Sequence, residues 1–530
     1  MRFSTATLAA TLSAALLAST CLPASAATLR FAFQGNYQAL DPYTLNETFS
    51  LGLHGAVYEG LTKRDKDLTI IPGLAERWET PEPLRWRFHL RQGVKFHNGN
   101  PFTADDVLFS ATRVRAGSSD LKTRIPADAE FVKVDDHTVD VVLKTPNPTL
   151  NAEWDTWYIM DREWSEANGA VNPTSASATT PSYATLNANG TGPFVLESHQ
   201  PGVRTVWKQN AAWWSKPEHN ITEAIFTPIA SDPTRVAALL SGEVDWIDPV
   251  PLQDVARVNA SANAVVMTGP ELRTIHLGFD QKRDELKYSN VKGKNPFKDV
   301  RVRQAFQKAI DLNLIRDRVM RGASVPAALM ISPLLFDGAK DFKTAALDVE
   351  GAKKLLTEAG YPNGFEVGMD CPNDRYVNDE QICQAAVGML SRIGVKVNLN
   401  AQPKTKYFAK VLASGGFDTS FYLLGWTPSS YDSWNVFANI TGCRDDGGKG
   451  GPFNFGGYCN PKLDELARQV LVETDKPKRD ALIKAAHEIE RADVSHIPLH
   501  QQTLAWGVSK KLKVAQRADN SFLFYWAVKE

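Results

Sequence analysis

The strongest constraint on this chain is the way helical and strand signatures alternate along it, each closed off by glycine or proline. Asp348 can cap a helix whose Ala352, Leu355, Leu356 and Ala359 share one face, with Gly360 at the left-handed stop and Pro362 just beyond. A further helix, 379–393, passes through Gly394 into a strand at 395–399. Earlier, Asp232 to Gly242 has a proline near its start and a glycine at its end, and Val302, Phe306, Ala309 and Ile310 line one helical face. Strands alternating with helices of this length argue for α/β lobes. At roughly 100–200 residues per domain, 530 residues ask for two to four domains. No tandem repeat of fixed period runs through the chain.

The segment 85–110 is the most legible. Arg85 to Leu90 alternates with period two and reads as a strand, Gln92-Gly93 and Asn98-Gly99 are turn pairs, and Thr103 then opens a helix. The Thr103 hydroxyl can cap an orphan N–H and Asp106 can reach back to it, while Val107, Phe109 and Ala111 carry the helix into the core. Another strand is expected at Thr28 to Phe33. The Ser/Thr/Ala/Asn/Gly-rich stretch 168–192 reads as a long surface loop, ending at Asn189 to Phe194 with a turn and a new strand. That lone G-x-G precedes a strand, so it does not read as a phosphate-cradling loop. With 59 basic and 60 acidic residues there is no cationic excess to neutralise phosphates, which excludes nucleic acid as an expected partner.

Residues 1–26 read as a cleavable secretory signal: Arg2, an uncharged Ala/Leu-rich stretch, and Ala24-Ser25-Ala26 as the cleavage site. Cys21 suits lipidation poorly, because Thr20 stands where Gly or Ala is wanted and position −3 is not Leu. A lipid anchor is therefore not expected. Four cysteines follow. An even count in an exported chain favours disulfides, and the local pairs Cys371–Cys383 and Cys443–Cys459 are preferred over the other pairings. A four-cysteine zinc site has no C-x-x-C pair to start from.

Three strings, FHLRQGVKFHNGNPFTADDV at 88–107, GTGPF at 190–194 and AKKLLTEAGYP at 352–362, resemble the family 5 extracytoplasmic solute-binding proteins, the peptide and nickel class that serves ATP-driven importers. The resemblance covers essentially the whole mature chain. It implies an α/β, two-lobed periplasmic-binding-protein fold (type II, cluster C) with an extra inserted domain. Lobe one would be discontinuous, 27–65 with 195–272 and 500–530. The inserted domain would span 66–194 and lobe two 273–499. The implied role is periplasmic capture of a peptide-sized polar solute between the lobes and delivery to an inner-membrane ABC permease, by a monomer with no cofactor.

Two stretches match cleft-lining segments of dipeptide-binding relatives. In CPNDRY, Arg375 stands where relatives pair an Arg with the peptide carboxylate, and Tyr376 follows it; a buried guanidinium can grip an anion with two parallel hydrogen bonds. In LLGWTPSSYD, Gly425, Trp426, Thr427, Ser429, Tyr431 and Asp432 are the candidates, with Trp426 and Tyr431 able to stack on a ligand. Ser429 occupies the place where relatives carry the Asp that meets a free amino group. Asp432, three residues on, aligns better with a second family acid that shapes a turn. A hydroxyl cannot supply the charge a desolvated ammonium needs. This favours an anionic ligand or one lacking an ammonium, such as an opine, a sugar-phosphate conjugate or a modified peptide. His496 and His500 have a four-residue interval, but Pro498 spoils a shared helical face, so no metal site is expected. An exported hydrolase would need G-x-S-x-G or H-E-x-x-H, and neither occurs; His487-Glu488 lacks the second His. A ligand sensor would use the same cleft.

Overall fold

The computed structural model describes residues 27–147, 149–444, 450–473 and 475–530. The signal sequence at 1–26, with Cys21, lies outside them. The elements that position the site are β1 (Ala27–Phe33), α1 (Thr48–His54), β2 (Ala75–Glu82), β3 (Arg85–Leu90), α2 (Ala104–Val114), β4 (Glu130–Asp135), β5 (Thr138–Val142), β6 (Phe194–Gln200), β7 (Arg204–Gln209), β8 (Ile221–Pro228), α3 (Asp232–Ser241), β9 (Trp246–Asp248), β10 (Ala264–Phe279), α4 (Val300–Ala309), α5 (Val349–Glu358), β11 (Glu366–Pro372), α6 (Asp379–Ser391), β12 (Lys396–Gln402), α7 (Lys404–Val411), β13 (Phe421–Trp426), α8 (Lys476–Asp493) and β14 (His496–Ser509).

The local chemistry anticipated for these elements is present. Thr103 and Asp106 form a reciprocal capping box on α2. The Asp348 carboxylate accepts from the Gly351 N–H at the start of α5, and Gly360, just after its end, has φ +89°. Gly242 stops α3 in the left-handed region. The mixed α/β composition follows from these signals.

One large sheet runs β12-β11-β13-β10-β14-β9-β1-β8-β7-β6, and a separate antiparallel sheet runs β2-β3-β5-β4. The long strands β10 and β14 carry the large sheet from one hydrophobic core to another. One core gathers residues of the first 194 positions with others at 207–246 and 506–527, and a second gathers residues of 275–499. Ala264–Pro270 pairs antiparallel with Thr503–Ser509, and pairing resumes at Thr274 opposite Gln501. Residues 271–273 between them are out of register, and there Leu272 donates its N–H to the Ala518 carbonyl instead. The break thus lies at the junction of the two cores.

The stretch 168–192 departs from the surface loop expected of it. It contains a helical turn, Tyr183–Leu186, and its last residues are buried. Thr191 Oγ1 donates to Glu59, Asn189 donates to Asp161, and a Cβ on Gly190 would lie 2.0 Å from the Val57 carbonyl oxygen. Polarity misled the reading here: these side chains are polar because they bond to buried acids. Trp213 and Trp214 also aim their indole N–H groups at Glu59.

His500 lies on β14, not on a helix, and is 1% exposed with neither ring nitrogen bonded among the described residues. Burial pushes it down to about 3. The unfolded chain takes up a proton below its ordinary value near 6.5 and the folded one does not, so this residue's contribution to stability is present above that value and is lost as pH falls toward 3. His500→Leu is expected to gain stability relative to the parent by up to about 1.4 kcal/mol per pH unit between pH 6 and 4. Urea unfolding of both proteins across that range checks it; parallel pH profiles would refute it.

Candidate functional site

A cavity with about 740 Å³ of empty space, part of it open to solvent, lies between the two cores. Three elements of the second core supply its far wall. The loop after β11 brings Arg375 and Tyr376. This loop is held by the Cys371–Cys383 disulfide, which ties β11 to α6. It is held also by the Asp379 carboxylate, which accepts the N–H groups of both Arg375 and Tyr376 at 2.9 Å. The end of β13 brings Gly425 and Trp426, and the turn after it Thr427, Ser429 and Tyr431. The other disulfide, Cys443–Cys459, closes the second local pair. The near wall comes from segments far apart in the chain: Asn46 to Thr48, Arg124, Asp155, Thr156, Asp519 and Ser521.

The electrostatics centre on Glu47. Its carboxylate caps α1, accepting from the Ser50 N–H at 2.9 Å and the Ser50 hydroxyl at 2.8 Å. Across the cavity it faces Arg375 Nε at 3.0 Å and Lys404 Nζ at 3.5 Å. Burial would push this acid up, but Arg375, Lys404 and the Ser50 donors outweigh it and hold the group far below the usual carboxylate range. The Arg375 Nε–H is not aligned on the oxygen, so the 3.0 Å approach is an ion pair and not a hydrogen bond. The outer nitrogens of Arg375 have no hydrogen-bond partner among the described residues. Lys404 sits over the rings of Phe33 and Phe49 at 5.3 and 5.4 Å. Beside this group, Arg273 Nε meets Glu271 at 2.8 Å and its Nη2 donates to Thr48 Oγ1 at 3.2 Å. Three cations, Arg375, Lys404 and Arg273, thus meet three acids, Glu47, Glu271 and Asp374, the last within electrostatic reach of both Arg375 and Lys404, so the charges at this end balance while the outer nitrogens of Arg375 stay open.

The opposite end is neutral by the same count. Arg64 pairs with Asp155 at 3.2 Å and lies 4.0 Å from the Tyr431 ring, whose hydroxyl donates to Asp519 at 2.8 Å. Burial would raise Asp519, but Arg517 and the Ser521 and Tyr431 hydroxyls bring it to about 2. Asp155 Oδ1 and the hydroxyls of Thr156 and Thr427 are buried and unpartnered. Burial pushes Asp155 upward despite three nearby guanidinium groups.

Ser429, standing where an acid was expected, donates its hydroxyl at 2.6 Å to Glu153, a carboxylate from across the cavity that also receives Asn435 at 3.1 Å. Trp426 lies against Phe453 with centroids 4.7 Å apart and donates to Asn435. Tyr431 is held in the left-handed region, φ +57°. Gly425 is needed as glycine: a Cβ there would lie 2.7–2.9 Å from Ile275, Tyr376 and Arg273.

Asp432 is placed elsewhere, which corrects its expected share in the cavity. It does not line the wall. Its carboxylate caps the next helical turn through Trp434 and is gripped by both outer nitrogens of Arg479 on α8, at 2.6 and 2.8 Å. The near-wall acids Glu47, Glu153 and Asp155 were not anticipated, since they lie in segments without a distinctive motif. Among the described residues, the acidic group Asp106, Asp161 and Glu163 is the one set with metal-holding proximity, and its oxygens already cap α2 and bind Asn98, Asn100 and Asn189. No described helix is long and apolar enough to cross a membrane.

Comparison with known proteins agrees with this architecture. The model of the bacterial extracellular solute-binding proteins, family 5, middle region, matches residues 69–448. The dipeptide-binding protein of Escherichia coli (strain K12) is 28% identical over 523 residues, covering 92% of each chain. The glutathione-binding protein GsiB of Shigella boydii serotype 4 is 25% identical over 493 residues, covering 90% of this chain and 89% of the other. Among solved structures, DppA of Helicobacter pylori with the peptide STSA aligns with a TM-score of 0.84 at 22% identity, covering 96% of this chain and 99% of the other. AgaA of A. tumefaciens R10 with agropinic acid aligns at 0.83 and 24%, covering 95% and 99%. These likenesses establish the periplasmic-binding-protein fold.

The placement of Asp432 yields an expectation. Asp432→Ala removes a cap and a two-pronged ion pair, and it should cost about 1–2 kcal/mol of stability in a denaturant melt. Ligand affinity should stay within about threefold of the parent, a difference well below 1 kcal/mol. A loss of binding larger than the loss of stability would return Asp432 to the site.

Proposed function

Since the chain belongs to the bacterial extracellular solute-binding proteins of family 5, we propose that it captures a small polar solute, peptide-sized or smaller and bearing an anionic group, and passes it unaltered to the membrane permease of an ATP-driven importer. Residues 1–26 direct export and are removed, and the mature chain works in the periplasm as a monomer. Residues 27–65, 195–272 and 500–530 form one lobe with 66–194 packed on it, and 273–499 form the other. The out-of-register residues 271–273 are the hinge.

The observation that carries this reading is Arg375. Its outer nitrogens have no hydrogen-bond partner among the described residues, and it lines a cavity shared by both lobes, where Glu47 is divided between it and Lys404. An anion there completes two parallel hydrogen bonds and is desolvated only when the lobes shut, so it favours the closed form by differential affinity. Tyr376, Gly425, Trp426, Thr427, Ser429 and Tyr431 shape the rest of the cavity.

A second reading has one observation in its favour. Asp155 Oδ1 is buried, unpartnered and on the cavity wall, so it can accept from an ammonium in place of the acid absent at 429. That reading gives a free dipeptide, the ligand class named for the Escherichia coli relative.

Titration calorimetry with Ala-Ala and N-acetyl-Ala-Ala tests both. On the first reading the acetylated form binds at least as well, and Arg375→Ala weakens it by about 2–5 kcal/mol. A change under about 0.5 kcal/mol removes Arg375 from the site. Binding of the free dipeptide alone, lost in Asp155→Asn, establishes the second reading instead.

A further inference from the structure

Beside the central cavity lies a larger chamber, about 1330 Å³ of empty space partly open to solvent. Asn46, Arg124, Trp426 and Ser429 line both, so the two are contiguous. The chamber's walls come from the 115–153 segment on one side and the 426–471 segment on the other.

Three cations line it, Arg115, Lys122 and Arg124, against a single carboxylate, Glu153. That carboxylate is already occupied by Ser429, Asn435 and Arg124. Arg124 is 5% exposed and its Nε is buried with no partner. Its other nitrogens make only long contacts, 3.2–3.5 Å, to Asn46 and Glu153. Arg115 is anchored by carbonyls, Nε to Ala111 and Nη1 to Ala129, and has no carboxylate partner. Lys122 makes no hydrogen bond or ion pair among the described residues. Asp120, within electrostatic reach of Lys122, does not line the chamber, and burial pushes it up to about 7. Ile125, Leu150, Trp434 and Leu471 add apolar surface to the chamber wall.

We propose that this chamber is a second anion subsite, so that the transported solute is an elongated molecule with a negative group at each end, one held by Arg375 and the other by Arg124 and Lys122. The inference rests on the anion-binding reading of Arg375 and extends it from one charge to two. A carboxylate or a phosphate would satisfy the second subsite equally. A buried guanidinium with an open N–H has its strongest partner in either. The apolar part of the chamber wall suits a linker of peptide or alkyl character.

Two probes of equal length isolate the second charge: N-succinyl-Ala-Ala, with a carboxylate at each end, and N-butyryl-Ala-Ala, with one. At low salt the succinyl probe should bind about tenfold tighter, and the advantage should shrink as ionic strength rises. Lys122→Met should cut that advantage to about threefold or less while leaving butyryl affinity unchanged. Arg124→Lys, which keeps the charge and removes Nε, should reduce the advantage without loss of melting temperature. Equal affinities for the two probes, an advantage that survives Lys122→Met, or no binding of the succinyl probe would each overturn the second subsite. A loss of both probes in Arg375→Ala alongside equal affinities would overturn this inference alone. Binding of either probe that ignores Arg375→Ala would overturn the reading beneath it.

Discussion

The closed arrangement depends on Glu47. It is fixed in one lobe as the cap of a short helix and reaches two cations that belong to the other. Burying three charges is expensive unless each finds partners, and removing one partner from such a group is worse than never burying it. Glu47 meets this demand with five groups: two cations, the Ser50 hydroxyl and the N–H groups of Phe49 and Ser50. Lys404 meets it with Glu47 and the faces of Phe33 and Phe49. Arg375 meets it only in part. Its Nε is close to the acid but poorly aimed, and its outer nitrogens are open. The cluster is strong enough to bring the lobes into register and leaves one cation unfinished.

The open side of Arg375 gains its significance from how the lobes are joined. Two antiparallel strands cross between the cores and lose register at 271–273, so the lobes are connected by backbone whose ladder is already interrupted. Arg273 and Glu271 lie at this break and pair with each other, and Arg273 reaches Thr48, next to Glu47. The break and the charge cluster are therefore neighbours. On the proposed reading, a solute held by Arg375 sits close to this break, and its binding shifts the lobe-to-lobe equilibrium.

Local structure was legible wherever one residue type has one mechanical use. Thr103 with Asp106, Gly242, Asp348 and Gly360 each do what their chemistry allows, and the elements they bound are found where they were expected. The cysteine pairing was legible because short spans are easily closed. The far wall of the cavity was legible through two motif-bearing stretches, except at Asp432, where a carboxylate near a binding loop serves an ion pair with Arg479. The near wall was not. Glu47, Arg124, Glu153, Asp155 and Asp519 are single charged residues scattered over some 470 positions, and nothing local separates them from solvated surface acids and bases. Only the sheet topology brings them together. The stretch 168–192 failed for a related reason, since polar composition says nothing about whether the partners are water or buried carboxylates.

Ser429 and Glu153 show how the cavity can keep an acid and still change what that acid does. At 429 a carboxylate would project into the cavity with its lone pairs free for a ligand. Here the carboxylate is rooted in the opposite wall, at 153, and accepts the Ser429 hydroxyl, the Asn435 amide and Arg124. Its lone pairs are filled by the protein, and its charge is matched by a guanidinium. The negative charge survives as a structural tie between lobes and is no longer presented to a guest. With Glu153 matched by Arg124, Arg115 and Lys122 are left on the chamber wall without a carboxylate partner among the described residues. Groups left open in this way are the physical basis of the proposed preference for a solute that brings its own negative charge.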